Sequence, residues 1–233
     1  MTAPTLLVVA KAPVPGLAKT RVARTVGDDV AADLAAAALL DTLATATAVG
    51  WPVVVAMTGD LSRAARADEI REALEPLKVI PQRGDGLAER LANAHADAAA
   101  GSTAGIVQVG MDTPQLLVAD YLDAGRTVEL GSIVVGPATD GGWWLLGLPD
   151  PSLAAALTGV EMSASDTGAR TVEALGGDVV TLRTLRDMDT WDDAVEIAGT
   201  VPISLIADAV SRQLASAAEA DETDTTDETG SPS

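Results

Sequence analysis

Seven short, unbroken apolar runs recur along the 233-residue chain, and helical patterns fill most of the intervals between them. The runs are Leu6–Ala10, Val53–Met57, Val79–Ile80, Ile106–Val109, Ile133–Val135, Trp143–Leu146 and Val179–Leu182. Continuous apolar character, as opposed to strict alternation, is what a strand covered on both faces requires. The helical patterns begin with Asp29–Leu43, where Val30, Leu34, Ala37 and Ala38 fall at helical spacing. Ser62–Leu74, Leu87–Ala99, Pro114–Leu122, Ala164–Leu175, Asp192–Ala198 and Ile203–Leu214 follow. This alternation predicts an α/β fold with a mostly parallel sheet between helical layers. Such sheets bind ligands beyond the carboxyl ends of their strands.

One domain is expected over residues 1–216, long enough to bury a core without covalent staples. From Ala217 the chain reads AAEADETDTTDETGSPS, six acids and no base. Residues 217–233 are therefore expected to be a disordered acidic tail. The absence of cysteine excludes disulfides, thiol catalysis and thiolate metal sites. The only histidine, His95, leaves no room for a histidine-rich zinc site or a Ser-His-Asp triad, and it reads as a helix-face residue. A net charge of -19 argues against nucleic acid as a partner. No signal peptide is evident and no apolar run approaches the roughly 20 residues of a membrane span, so a soluble cytoplasmic protein is expected. The oligomeric state is not legible.

Against that acidity one stretch stands out. Residues 1–27 contain no Asp or Glu but hold Lys11, Lys19, Arg21 and Arg24. After the first apolar run, Pro13, Pro15 and Gly16 shape a turn, and Lys19-Thr20-Arg21 open a helical segment. A cationic, glycine-bearing turn between strand and helix suits a polyphosphate. The bland alternative, a solvated helix start, is disfavoured because cations at a helix N-terminus oppose its dipole. The spacing of Gly16 and Lys19 does not make a Walker loop, and Gly84-Asp85-Gly86 does not continue into a dinucleotide fingerprint.

Three further motifs sit at strand ends. In Gly110-Met111-Asp112-Thr113-Pro114, Asp112 could hold a divalent cation or could simply cap a helix started by Pro114. Asp140-Gly141-Gly142 precedes two tryptophans; it could be a plain turn or the rim of a pocket lined by one of the rings. In Arg186-Asp187-Met188-Asp189-Thr190-Trp191-Asp192-Asp193, Asp189 could complete a metal site with Asp112, while Thr190 could cap the next helix.

The ordered set KAPVPGLAKTR, PQRGDGLAERL, GMDTP, GPATDGGWWLLGL and DMDTWDD resembles the rSAM/selenodomain-associated transferases, glycosyltransferase-like proteins of the glycosyltransferase-A superfamily. That group is similar in turn to the phospholactate and molybdenum-cofactor guanylyltransferases. The resemblance covers about residues 5–198. It implies a Rossmann-like three-layer αβα sandwich of the nucleotide-diphospho-sugar transferase type, with one antiparallel strand. It also implies a nucleotide site formed by Ala10, Lys11, Gly16, Lys19, Arg21, Gln82 and Arg90. Asp112 and Asp189 would hold Mg²⁺ or Mn²⁺, and Asp140, Gly141, Gly142 and Trp144 would shape the acceptor pocket. The chain departs from the pattern at Trp143, where tyrosine is usual, at Val22, where leucine is usual, and at Gly110, which leaves no DxD after the fourth strand.

The expected activity is a metal-dependent transferase acting on a nucleoside triphosphate or nucleotide sugar and a small-molecule acceptor. The cationic first loop favours nucleotidyl transfer onto a small phosphorylated acceptor with release of pyrophosphate, Lys19, Arg21 and Asp112 doing the work. Glycosyl transfer from a nucleotide-diphospho-sugar is the alternative, and a nucleotide-binding module without turnover is the third reading.

Overall fold

The structure is a computed structural model that describes residues 3–100 and 104–227. Seven strands form one sheet: β1 (Thr5–Lys11), β2 (Val53–Thr58), β3 (Lys78–Pro81), β4 (Ile106–Val109), β5 (Ile133–Pro137), β6 (Trp143–Leu148) and β7 (Val179–Thr181). Their order is β3-β2-β1-β4-β6-β5-β7. β6 runs antiparallel to β4 and β5, and the other pairings are parallel. Each strand coincides with an apolar run. The helices are α1 (Thr20–Val26), α2 (Asp28–Ala48), α3 (Ala67–Leu74), α4 (Leu87–Ala98), α5 (Val118–Glu129), α6 (Thr167–Leu175), α7 (Trp191–Thr200) and α8 (Leu205–Asp227).

Apolar clusters fill both faces of the sheet. On one, Leu39 and Leu43 of α2, Ile70 of α3 and Tyr121 of α5 pack on Leu6, Val8, Val55, Val107 and Val109. On the other, Ala94 and Ala98 of α4 cover Leu7, Val54 and Ile106. A separate cluster joins α1, α2, α7 and α8 through Val22, Leu34, Ile197 and Ile206, with Met188 at its centre. It fixes the start of α1 beside the segment preceding α7, so packing remote from the sheet sets the distance between two site loops. Asp41 of α2 accepts from the backbone N–H groups of Leu205 and Ile206 at 3.0 and 2.9 Å, capping α8 across the fold.

The helices differ from the periodic patterns in four places. The segment predicted from Ser62 splits into a short 3₁₀ turn, Leu61–Arg63, and α3, because Arg66 adopts φ 49. In that conformation Arg66 forms a two-pronged ion pair with Asp33 of α2, at 2.6 and 2.8 Å. The helix predicted from Pro114 starts only at Val118: Leu116 N–H turns back to Thr113 O, and Leu117 is extended. A 3₁₀ segment, Pro151–Gly159, has no counterpart in the expected elements. α8 is helical to Asp227, across most of the stretch whose composition suggests disorder; alanines between 215 and 220 favour helix. The rest of that expectation, 228–233, lies outside the described residues. α2 has the length and mean hydropathy, 1.4, of a membrane span, which the apolar-run reading did not anticipate, but 67% of that stretch is buried inside the fold.

Candidate active site

A cavity of about 620 Å³ opens over the carboxyl ends of β1 and β4. The first loop supplies its cationic wall. Lys19 ends that loop in a left-handed conformation, φ 46, directly before α1. Such a backbone is strained for a residue with a Cβ, and here its consequence is to turn the side chain inward. Lys19 Nζ donates to Asp112 Oδ2 at 2.7 Å and lies 3.7 Å from Asp189 Oδ1. Arg21 donates to Asp189 Oδ2 at 2.8 Å. The two cations of the loop thus meet the two predicted metal carboxylates. The loops bearing those carboxylates are tied by Met188 N–H donating to Asp112 O at 3.0 Å.

Electrostatics in the cluster follow from these distances. Burial alone would lower the Lys19 pKa, but Asp112 and then Asp189 hold it above its ordinary value. Burial would raise Asp112, and the Lys19 ammonium more than reverses that, leaving it below the usual carboxylate range. Asp187 behaves oppositely. Burial first, then the like charges of Asp112, Asp140 and Asp189, push it up to about 7, and its Oδ1 is buried without a partner. Four carboxyl groups therefore share a region in which Lys19 and Arg21 pair directly with two of them, Asp112 and Asp189. That balance fits an additional cation. Among the described residues, however, no three acids are grouped at metal-ligand spacing, and the ammonium itself lies between Asp112 and Asp189.

The alternatives at these motifs now separate. Asp112 caps nothing, since no helix starts at Pro114. Thr190 does cap α7, accepting from Asp193 N–H while the Asp193 carboxylate accepts from Thr190 N–H at 2.8 Å. Capping falls to Thr190 and Asp193, so Asp189 is left for the cations. Asp187 was missed as a site residue. The signal for it was present: on either side of Met188, which is wholly buried, residues 187 and 189 of an extended segment face the opposite way.

The residues expected to bind a nucleotide are placed unevenly. Ala10, Lys11, Lys19, Arg21, Gln82 and Arg90 line the cavity. Lys11 Nζ is bent onto Leu17 O at 2.8 Å. Gln82 Nε2 bridges Ala10 O and Ala56 O at 2.8 and 2.9 Å, joining the ends of β1 and β2 and leaving only its carbonyl oxygen for a ligand. Gly16 is not on the cavity wall; its φ of 75 makes the turn that carries the loop around.

Of the residues expected at an acceptor pocket, Asp140 and Gly142 reach the cavity, with Asp140 Oδ1 accepting from Gly142 N–H at 2.8 Å. Gly141 lies behind them at φ 90, where a Cβ would come within 1.8 Å of Ser165 O. The tryptophan assignment needs correction. Trp144 is 2% exposed, packs in the core against Gly136 and donates its indole N–H to Arg183 O at 3.0 Å. Trp143 is the ring at the cavity, steadied by Thr171. A register shift between β5 and β6 causes the exchange: Gly136 pairs with Leu145 and Pro137 with Trp143, so Trp144 is the extra residue on β6, and a bulge re-aims the side chains around it. Sequence reasoning also missed Gln108, Leu87, Leu91 and the segment Met162–Ala164, where Ser163 takes φ 63.

Residues 39–164 match the model of a family described as uncharacterized proteins conserved in bacteria, DUF2064. No functionally curated protein matches the sequence significantly. Solved structures with this fold include a candidate nucleotide-diphospho-sugar transferase from Desulfovibrio desulfuricans G20. It is 25% identical with a TM-score of 0.81, over 92% of this chain and 96% of that one. The 4-diphosphocytidyl-2C-methyl-D-erythritol synthase of Anaerococcus prevotii DSM 20548 is 12% identical with a TM-score of 0.58, over 86% and 99% of the two chains. Rv0371c of Mycobacterium tuberculosis H37Rv, in complex with manganese, is 21% identical with a TM-score of 0.50, over 84% and 98%. The last two likenesses speak to the fold alone.

Proposed function

The chain belongs to the DUF2064 family, and on that footing we propose that it is a nucleotide-dependent transferase of the rSAM/selenodomain-associated type. One observation carries the reading: Lys19 and Arg21 of the first loop converge with Asp112 and Asp189 at the mouth of a single cavity. These groups pair with one another, and a polyanion accompanied by a divalent cation can take over both sets, its oxygens meeting Lys19 and Arg21 and the cation meeting the carboxylates. A nucleoside triphosphate with Mg²⁺ or Mn²⁺ has that chemistry.

The reaction we favour is nucleotidyl transfer. A phosphate oxygen of a small acceptor bonds to the α-phosphorus of the triphosphate as the bond to the bridging oxygen breaks, and pyrophosphate departs with the electron pair. A phosphate nucleophile is already ionised, so no side chain need remove a proton. Lys19 and Arg21 neutralise the departing pyrophosphate, and Asp140 and Gly142 border the acceptor. Asp112 and Asp189 would hold the divalent ion, whose contribution is charge neutralisation at phosphate oxygens. The manganese complex of the mycobacterial neighbour supports a divalent ion in this fold. Residues 1–216 are the transferase domain in this reading, residues 217–233 an acidic extension, and the protein acts in the cytoplasm.

Glycosyl transfer from a nucleotide-diphospho-sugar is the second reading, supported by the name and the TM-score of the Desulfovibrio neighbour. An assay of nucleoside triphosphates and nucleotide sugars against phosphorylated and sugar acceptors separates the two. Pyrophosphate release is expected. Release of a nucleoside diphosphate favours the second reading, and nucleotide binding without any product reduces the protein to a binding module. In the same assay Asp112→Asn should lose about a hundredfold or more in rate. Unchanged metal dependence in that variant would remove Asp112 from the site.

A further inference from the structure

His95 and Gln108 form a buried pair that the phosphate-binding loop does not use. His95 of α4 is wholly buried, and Gln108 of β4 is 2% exposed. His95 Nε2 lies 2.9 Å from Gln108 Oε1, while Nδ1 of the same ring is buried without a partner. Burial pulls the imidazole pKa down to about 4, against a smaller upward effect of Gln108, so the ring is neutral at pH 7 and carries one proton. That proton belongs on Nε2, where Gln108 Oε1 accepts it. On Nδ1 it would be an orphaned buried donor, and lone pairs on Nε2 and Oε1 would face one another.

With its oxygen held by His95, the Gln108 carboxamide turns its N–H₂ away from the ring, and Gln108 lies on the cavity floor. Among the described residues none accepts from that nitrogen, and it is not among the buried polar atoms without a partner. Its neighbours on that face of the sheet are apolar. Leu146, the partner of Gln108 across β4 and β6, belongs to one cluster with Leu91, Val9, Trp143 and Met162. A lone neutral donor in such a wall favours a ligand group that accepts without carrying charge. A ligand lacking the acceptor leaves the donor unpaired, which is how polar sites discriminate strongly.

We propose that Gln108, aligned by His95, is a specificity-determining donor to a neutral acceptor atom of the bound substrate, a nucleobase carbonyl or a sugar hydroxyl, and not to phosphate. His95 is its positioning residue. The inference rests on the cavity being the nucleotide site.

Two measurements on the full chain test it. Long-range proton–nitrogen correlation spectra report the His95 tautomer. Nε2–H is expected, and Nδ1–H overturns the proposal because the amide would then present its oxygen to the cavity. Calorimetric titrations in Mg²⁺ then compare wild type, Gln108→Leu and Gln108→Met with inorganic pyrophosphate, the four ribonucleoside triphosphates, UDP-glucose and GDP-mannose. Gln108→Met keeps the length of the side chain and removes the donors without adding a charge. The best-bound nucleotide should weaken about tenfold in both variants, while pyrophosphate stays within about twofold. A loss seen with triphosphates assigns the acceptor atom to base or ribose; a loss confined to nucleotide sugars assigns it to the sugar. His95→Gln retains a donor towards Gln108 and should preserve the wild-type ranking of probes, whereas His95→Leu should not. Unchanged nucleotide affinities in both Gln108 variants, or equal losses for pyrophosphate and nucleotides, overturn the proposal. A wild type that binds no probe refutes the transferase reading and this inference together; a wild type that binds them regardless of Gln108 refutes only the inference.

Discussion

Lys19→Met removes the ammonium from between two carboxylates and should destabilise the protein by about 2–3 kcal/mol at pH 7. At 2.7 Å from Asp112, and with an effective dielectric of about 20, the lost attraction is about 6 kcal/mol. The Lys19 side chain is 12% exposed and that of Asp112 35% exposed, so desolvation and screening cancel about half of it or more. Methionine has a similar stem and keeps the Cβ, so the left-handed backbone at φ 46 costs both chains alike. The remaining difference is electrostatic. Asp112 titrates below its usual 3.8 in the folded chain, so its contribution is present above 3.8 and is lost as pH falls through the lowered value. Lys19 titrates above 10.5, so its contribution is present below 10.5 and is lost as pH rises through the raised value. The gap between wild type and variant should therefore hold from about pH 5 to 9 and close at both extremes. Urea unfolding followed by tryptophan fluorescence measures it. Equal unfolding midpoints at pH 7 would mean that the ion pair contributes nothing and that the reasoning about this cluster fails.

Buried His95 adds a second pH dependence on the acid side. Its folded pKa of about 4 lies below the unfolded 6.5, so stability falls as pH drops between them, by up to about 3 kcal/mol. Asp187, raised to about 7, works the other way and gains stability as it is protonated over the same interval. Urea titrations at stepped pH should find His95→Leu relatively more stable in acid and Asp187→Asn relatively less; parallel profiles for all three proteins would contradict both assignments. Trp144→Ala should lose about 3–5 kcal/mol, as expected for a large buried ring, whereas Trp143→Ala should lose less and weaken ligand binding in calorimetry. Gly141→Ala should fail to reach a native melting temperature, since its methyl would meet Ser165 O at a backbone φ of 90; a wild-type melt would contradict that packing.

Periodicity and composition determined the architecture of this protein. Buried parallel strands must be continuously apolar, and each of the seven runs became a strand of one sheet. The cationic first turn and the acids of GMDTP and DMDT were equally legible, because charge in so acidic a chain is local information. Tertiary structure decided what those groups do. Whether Asp112 capped a helix depended on where α5 started, which the turn at Thr113–Leu116 moved to Val118. Which tryptophan met the cavity depended on one register shift between β5 and β6, which no residue announces. The pairings of Lys19 with Asp112 and of His95 with Gln108 span 93 and 13 residues, and both arise from packing between elements. Propensity and periodicity act over a few residues, whereas a site is made of contacts between strand ends, so the sequence could name the groups and only the fold could bring them together.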